Sequence, residues 1–472
     1  MSTRRQVVVI GGGISGLAAA WELTGGVTGP GPATPEVTIF ETSDQLGGAL
    51  RSAAFGGRTV DVGPDSFLGR RPEALELSRE VGLEDSLVPI AGRGAAVWAR
   101  GRLRALPDGL ALGVPTRFWP TARSGVLGPR GVSGLARDVL LPRPGGRGPI
   151  GDRSIGPLVG HKLGHRVVDA LVDPLIGGIH AGSVDDMSAA ATFPPLLAAA
   201  QRRGSLMRAL RAEIPTPDPD APPLFWALSG GMASLVEHLG QRLRQRGVVV
   251  CASTPVERLE RGAARWRVMF PGGATEADAI IVTVSAPVAA DLLRPHDDEA
   301  ARLLDAIDYS SVALVTFSVP EDAVTAPLYG TGFLVPRRSP VPPGRDPLAM
   351  TACTYLSAKW PHLARSGEIL LRASSGRSGD DRPSAWSDDD IIERIWEELG
   401  LVLGVTGRPL ASMVSRFPDA FPQYRVHHLL RTAGVQAATA RLGDLAVAGA
   451  AYRGVGIPAC IASGRDAAHA LL

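Results

Sequence analysis

The sequence predicts an α/β protein in which a Rossmann-type dinucleotide-binding domain is interrupted by a helical insertion and a second, α+β domain. Three stretches carry this expectation. In VVVIGGGISGLAAAWEL (Val7 to Leu23) a β-branched run meets a glycine turn and then strong helix formers. In ADAIIVTVSAP the uncharged apolar run Ala279 to Val284 suits a central strand buried on both faces. At the end, LAVAGAAYRGVGIPACIASGRDAAHALL repeats the order strand, glycine loop, helix. The expected boundaries are 1–68, 224–300 and 436–472 for the dinucleotide domain, 69–95 and 301–435 for a substrate domain, and 96–223 for the insertion.

Gly11, Gly13 and Gly16 fit G-x-G-x-x-G: one glycine for the tight turn, one for backbone approach to a phosphate, one for helix packing. The helix starting there offers unpaired N–H groups and its positive dipole end to a pyrophosphate. Val37 to Phe40 reads as the next strand and ends at Glu41, 41 − 16 = 25 residues after the last motif glycine. The usual spacing is about 20, and the Gly/Pro-rich loop Gly25 to Pro35 supplies the surplus. An acid there accepts hydrogen bonds from a ribose diol, which favours an adenine dinucleotide without a 2′-phosphate. The competing reading is an ordinary βαβ unit with an incidental glycine turn.

Length allows two or three domains in the 472 residues. A hydrophobic content of 45% and a charged content of 20% are ordinary for a globular enzyme. The net charge of +2 makes no electrostatic case for nucleic acid. Lysine occurs only at Lys162 and Lys359 in an arginine-rich chain. Cys251, Cys353 and Cys460 form no metal-ligand or redox pair, which suits a reducing cytoplasm and predicts no metal. The nucleotide strand begins almost at once, leaving no room for a signal peptide. No apolar run reaches the roughly 18 residues of a membrane span. The expectation is a cytoplasmic protein with at most peripheral membrane contact.

Further along, Gly47-Gly48 forms a second close turn and Val60 to Val62 a short strand. ALELSREVGL reads as a helix that Gly82 ends. The region 96–223 reads as helical, with loops at PRPGGRGP and PTPDPDAPP. Within it, RVVDALVDPLIGGIHAG is an amphipathic helix followed by a glycine turn. LSGGMASLVEHLGQRLRQRG is a helix before several strands, and 309–435 mixes the strands SSVALVTFSV and EILLRAS with the helix DDDIIERIWEELGLVL. A final helix starting near Gly456-Ile457-Pro458 aims a second N-terminus at a cofactor, which suits a flavin ring carrying negative charge. The plainer reading is a terminal βα unit that only closes the sheet.

GGGISGLAAA, Glu41, LGG, GPDSF, GGM (Gly230 to Met232), TPVERL, ADAIIVTVSAP and GVGIP together resemble the protoporphyrinogen oxidase family, which shares the flavin amine oxidase fold. GPDSFL, PLIGGIHAG, TFPPL, TACTY…KWPH (Thr351 to His362) and FPQY (Phe421 to Tyr424) are similar to its Gram-positive, water-soluble branch. The resemblance spans essentially the whole chain. It implies non-covalent FAD and oxidation of coproporphyrinogen III to coproporphyrin III, with O2 as acceptor and H2O2 as product. It also implies that Gly11, Gly12, Gly13, Ile14, Ser15, Gly16 and Glu41 hold the ADP half. Thr42, Gly47, Gly48, Ala49, Gly63, Pro64, Asp65 and Ser66 would line the ribityl and isoalloxazine region. The Val256 backbone would meet the adenine, and Val455, Gly456 and Ile457 would close over the pyrimidine end. Two departures stand out. Gln45 and Ala49 replace basic residues, so pyrophosphate neutralisation falls to backbone N–H groups helped by Arg51. Phe417 and Pro418 stand where relatives commonly carry tryptophan and histidine. Cys460 lies outside the motif of covalent flavin attachment and reads as a small buried residue.

For the porphyrinogen the resemblance implies a flat apolar slot with cations for the propionates. Arg71 either contacts a propionate or is a solvated surface arginine. Ile179 and His180 line the slot near the reacting carbon, although His180 reads equally as a core histidine. Lys359, beside Trp360 and Pro361, takes a structural or substrate-edge role. Aromatisation removes six electrons in three flavin turnovers, each passing a hydride to flavin N5, so the protein's work is placement. No Ser/His/Asp, Cys/His or metal constellation stands out. Expected partners are the porphyrinogen, O2 and a transient contact with the next heme-pathway enzyme. Two alternatives stay open: a membrane-associated protoporphyrinogen oxidase, and a non-catalytic prenyl-protein carrier on the same fold.

Overall fold

The computed structural model describes residues 4–141, 151–214, 223–339 and 346–472. The chain forms two compact units. One is Met1–Pro89, Pro222–Asp308 and His428–Leu472; the other is Ile90–Ala221 and Tyr309–His427.

The first unit is built on five parallel strands. β1 (Gln6–Ile10) leads through Gly11 to Gly13 into α1 (Ile14–Leu23), and β2 (Glu36–Phe40) follows. Next come α2 (Glu73–Glu80), α3 (Ala233–Gln245), β3 (Val249–Cys251), β4 (Ala279–Val282), β5 (Leu445–Val447) and α4 (Ile457–His469). The sheet order is β3-β2-β1-β4-β5, with every pairing parallel. Strand order reverses between β1 and β4, and ligands of such sheets bind beyond the strand ends at that point. Val7 to Ile10 of β1 and all of β4 are at most 3% exposed because both faces are covered. Val7, Val9, Ile39 and Ile281 share one core with α1, α3 and α4. On β2, Phe40 meets Phe270 of a three-stranded antiparallel layer spanning 258–277, at 5.0 Å between ring centroids. The apolar run was expected to be strand through Val284; the regular strand stops at Val282, and the Thr283 hydroxyl bonds the carbonyls of Ile10 and Gly11 (2.9 Å each).

α1 and α4 cross with almost nothing between their backbones. A Cβ on Gly464 would lie 2.0 Å from the Ser15 carbonyl oxygen. Towards the far end of α1, Glu22 receives Arg465 at 3.5 Å and His469 at 3.1 Å, so the two helices run parallel. Residues 69–89, expected with a substrate domain, pack here instead. Phe67–Leu68 and Leu87–Pro89 flank Phe225–Leu228 in one antiparallel sheet. Glu80 on α2 accepts from Trp21 Nε1 (2.7 Å) and Arg465 (2.6 Å).

The second unit holds a seven-stranded sheet ordered Ala411–Pro422, Tyr309–Pro320, Glu368–Ser375, Met350–Tyr355, Gly332–Leu334, Ala96–Ala99, Arg102–Ala105. Pairing is antiparallel except between Gly332–Leu334 and Ala96–Ala99. Alternation along Ala96–Ala99 splits its side chains between two cores. Ala96 and Trp98 join Ile391, Ile395 and Leu399 of the helix Asp388–Leu403, which begins at a Ser387/Asp390 capping box. Val97 and Ala99 join Leu135, Ile155, Leu171 and Leu210 of the helical cluster. The region 96–223, expected as a separate helical insertion, therefore starts as strands of this sheet and shares its core. The loop PRPGGRGP lies outside the described residues, as does all of PTPDPDAPP except Pro223.

One helix winds unusually. His165–Val167 runs into a wide π-type segment, Val168–Gly177, and then Gly178–His180. Pro174 inside it has no N–H for an i→i−4 bond, and wider winding accommodates its ring. The expected glycine turn is thus still helical, and the chain leaves only at Ala181, which is left-handed (φ +46°).

Alanine is a better helix former than glycine by about 1 kcal/mol, yet a methyl at position 464 would press on the Ser15 carbonyl. Gly464→Ala is expected to lose about 1–3 kcal/mol of stability in urea unfolding, the usual cost of overpacking. A variant as stable as the parent would contradict this helix contact.

Candidate functional site

The first unit carries two glycine turns and two uncapped helix starts. Gly11 is left-handed (φ +107°), and a Cβ there would sit 2.7 Å from Thr283 Oγ1. A Cβ on Gly12 would strike Leu46 and Glu41, and one on Gly16 would lie 2.0 Å from the Gly11 oxygen. Gly13 differs, because nothing lies within 4 Å of where its Cβ would be. Gly13 is also the N-cap of α1, without a side-chain cap. The first helical bond is Leu17 N–H to Gly13 O (3.0 Å), so Ile14, Ser15 and Gly16 carry N–H groups with no carbonyl from the helix. Such a start is a ready site for an anion.

The second turn locks onto the first. Gly47 N–H donates to Gly12 O (2.8 Å), and Gly48 and Ala49 lie exposed beside it. Arg51 Nε donates to Gly48 O (2.9 Å), which brings a guanidinium to the turn where Gln45 and Ala49 offer no charge. At the end of β2, Glu41 Oε2 accepts Gly12 N–H (2.6 Å), and Oε1 accepts the Ser43 N–H and hydroxyl (2.8 Å each). The carboxylate therefore stands against the first turn, with lone pairs left for a diol. Thr42 is exposed next to it. The Glu41 carbonyl accepts Thr254 N–H (2.8 Å), and Ser43 O accepts Ser253 N–H (2.8 Å), drawing in the loop that leads to Val256. No backbone hydrogen bond of Val256 is found among the described residues.

α4 supplies the second helix start. Gly456 is exposed and caps it without a side-chain bond; Val455 precedes it and Ile457 is buried. Ser15 is the second residue of α1 but meets Gly464, the eighth of α4. With the helices parallel, α4 begins roughly 9 Å further forward at 1.5 Å per residue. Burial pushes the Cys460 thiol up to about 11 against a side-chain hydrogen bond with Ser15, and Sγ makes long contacts to the Gly454 and Val455 carbonyls (3.8 and 3.9 Å). It is a protonated packing thiol. In the neighbouring turn Gly63 and Asp65 are buried, Pro64 is exposed, and the Ser66 hydroxyl donates to Asp65 (3.2 Å). Val62 N–H donates to Arg51 O (3.0 Å), which places this turn beside the second glycine turn.

The residues expected at the substrate divide between the units. Arg71, in the first, is 45% exposed and paired with Glu73 (2.6 Å). It lines a cavity of about 650 Å³ with Gln436, Arg453, Ala459, Ser463 and Asp466. Ile179 and His180, in the second, sit where the π-wound segment ends. Ile179 is 51% exposed. His180 is half-buried near Tyr424 (ring centroids 6.0 Å), and its Nδ1 is buried without a hydrogen-bond partner. Burial lowers its pKa to about 4, so it is neutral at pH 7 and offers no cation to a carboxylate. The left-handed Ala181 that follows costs about 1–2 kcal/mol relative to an ordinary conformation. Lys359 has a structural place: Nζ lies 4.9 Å over the Trp360 ring, and its carbonyl accepts Ala91 N–H (3.1 Å).

Sequence reasoning singles out neither Thr283 nor Ser43, which hold the first turn and Glu41. A hydroxyl interrupting AIIVTV is the available signal for Thr283; Ser43 carries none. Among the described residues no group of His, Cys, Asp and Glu is arranged to hold a metal ion. No described helix is long and apolar enough to cross a membrane.

His180 ties stability to pH. Folding lowers its pKa from 6.5 to about 4, so the unfolded chain takes up the proton first. This contribution is complete above pH 6.5 and is lost as the pH falls towards 4. His180→Gln is expected to flatten the unfolding free energy over that window; an unchanged slope would assign the effect to other groups.

Three comparisons with known proteins agree with this geometry. The family described as flavin containing amine oxidoreductase matches residues 14–472. The chain is 33% identical over 471 residues to a coproporphyrinogen III oxidase of Bacillus subtilis, covering 98% of this chain and 97% of the relative. It is 32% identical over 496 residues to a protoporphyrinogen oxidase of Homo sapiens, covering 99% and 98%. A crystal structure described as a protoporphyrinogen oxidase from Exiguobacterium sp. superposes with a TM-score of 0.87 at 31% identity, over 100% of this chain and 99% of that one. With a glycine cradle, a ribose-ready acid and a second helix start in one α/β unit, and a family match over nearly its whole length, the chain belongs to the flavin-containing amine oxidoreductases.

Proposed function

We propose that the chain oxidises coproporphyrinogen III to coproporphyrin III in the cytoplasm, with non-covalently held FAD and O2 as the electron acceptor. The observation that carries this reading is the pair of uncapped helix starts, α1 and α4, offset by roughly 9 Å in one direction. An elongated dinucleotide needs that layout: an anion site for its pyrophosphate and a second dipole for the electron-rich edge of its ring. The open space before Gly13 leaves room for the phosphates, and Glu41 stands ready for the ribose. The Val256 backbone, without a hydrogen bond among the described residues, suits the adenine. The name of the Bacillus subtilis relative supports coproporphyrinogen as the substrate.

A bound flavin supplies a two-electron acceptor, so removing six electrons takes three cycles per porphyrin and yields three H2O2. The chain's own residues bind, orient and exclude water. His180 is neutral and Cys460 protonated at pH 7, so neither is poised as an ionised catalyst. In this reading Ile179 is an apolar wall for the macrocycle. A similar identity to a protein named protoporphyrinogen oxidase favours a second reading, in which protoporphyrinogen IX is the substrate.

Glu41→Ala is expected to weaken FAD binding by roughly 1.5–3 kcal/mol, the scale of hydrogen bonds to a charged group. Titration of the flavin-free protein, followed by flavin fluorescence, measures this. Unchanged affinity in a folded variant would remove Glu41 from the ribose.

The two porphyrinogens separate the readings. Under anaerobic conditions coproporphyrinogen III is expected to bleach the bound flavin faster than protoporphyrinogen IX at equal concentration. The reverse order would establish the second reading, and a colourless protein that takes up no flavin would refute both.

A further inference from the structure

Two stretches that stand out in the sequence, PLIGGIHAG and FPQY, meet through one side chain. Gln423 is 6% exposed, and its Nε2 lies within hydrogen-bond distance of His180 O (3.1 Å), Ser310 Oγ (2.9 Å) and Phe421 O (2.9 Å). An amide nitrogen has two hydrogens, so one is shared among these acceptors. Ser310 passes the contact on, its hydroxyl donating to Ala181 O (2.9 Å), which also accepts Ser378 N–H (2.8 Å). Arg337 bonds the next carbonyl, Gly182 O (3.1 Å), and anchors itself on Ser378 O (3.0 Å). Three successive carbonyls, 180 to 182, are thus held by side chains from three distant parts of the chain.

Fit is tight around this network. A Cβ on Gly182 would lie 2.6 Å from Gln423 Oε1, so only glycine lets the amide approach. Gly182 N–H closes back on Gly177 O (2.9 Å). Asp173 Oδ1 accepts Val184 N–H (3.3 Å), while its other oxygen lies 3.8 Å from Arg337 Nε. A turn that merely connects two elements runs loosely over the surface. This one passes through a left-handed alanine, is bonded at the carbonyls of 180, 181 and 182, and leaves Ile179 half in solvent.

We propose that Gln423 is a positioning residue: with Ser310 and Arg337 it holds the turn 179–182 rigid, so that Ile179 forms an unyielding wall for the flat substrate. The inference rests on the substrate role given to Ile179 above. A wall that moves misplaces the reacting carbon even when every contact residue is present.

The test uses the flavin-loaded protein and binding of coproporphyrin III, followed by quenching of porphyrin fluorescence. Gln423→Leu keeps the volume and removes the donor. It is expected to weaken coproporphyrin binding about tenfold, the scale of one hydrogen bond. It should also speed amide hydrogen exchange at 178–182, with flavin content unchanged. Ile179→Ala should weaken binding similarly, and the double variant should be no weaker than the poorer single one, since both act through the same wall. Full affinity in Gln423→Leu beside a loss in Ile179→Ala would overturn the inference and leave the Ile179 reading intact. Full affinity in Ile179→Ala would remove that reading and the inference with it. Additive losses would show two independent effects and also overturn it. If Gln423→Leu fails to fold, Ser310→Ala carries the same comparison, because Ala181 O keeps the Ser378 N–H.

Discussion

Free N–H groups at a helix start can receive an anion only while nothing covalent stands in front of them, and the first unit is organised around that constraint. Of the glycines in the first turn, Gly11, Gly12 and Gly16 are closed in by neighbours under 3 Å from any added Cβ, whereas Gly13 faces open space. The closed positions let backbone pack on backbone, and the open one leaves the approach clear. Other polar groups nearby are already engaged. Thr283 occupies the Ile10 and Gly11 carbonyls, Glu41 takes Gly12 N–H, and Gly47 takes Gly12 O. With those satisfied, the first-turn N–H groups of α1 are among the donors open to a ligand.

The second unit solves a different problem at the other kind of helix end. There the chain leaves a π-wound segment, whose Gly177 carbonyl is taken by the following Gly182 N–H. Gln423, Ser310 and Arg337 bond the carbonyls of 180 to 182 where the chain departs, and what is presented outward is an aliphatic side chain. Buried charges support the arrangement. Burial pushes the Asp173 carboxyl above its ordinary range and Arg377 down to about 10, and each charge partly offsets the other's shift. Such groups do more to specify one geometry than to add stability.

Burial raises Cys353 and Tyr355 far above neutrality, and Cys460 to about 11. Ion pairs such as Arg294–Asp305 and Arg302–Asp298 lie at the surface, where each is worth little. The proposed oxidation gains aromaticity and would make small demands on acid–base groups.

How much of this was legible in the sequence follows from the range of each interaction. β1, α1, β2, β4 and α4 rest on local patterns: β-branched runs, glycine spacing, the acid at position 41. Strand and helix propensity act over a few residues, so the glycine turn and the elements that flank it could be read directly. Longer-range partners could not. Ala96–Ala99 pairs with Gly332–Leu334, and Phe67–Leu68 with Phe225–Leu228, across more than a hundred residues whose composition names no partner. The π winding around Pro174 is a compromise between a ring clash and packing that a periodicity argument does not contain. Open and closed glycines look alike as letters and differ only in what surrounds them. Gln423 and His180 stand 243 residues apart, and both stretches were marked by resemblance without a reason for either. The sequence determined which local elements form and that a glycine turn and an acid stand at the first strand ends; only the tertiary structure decided which distant side chains share a core, because burial and hydrogen-bond capture depend on neighbours that folding alone brings together.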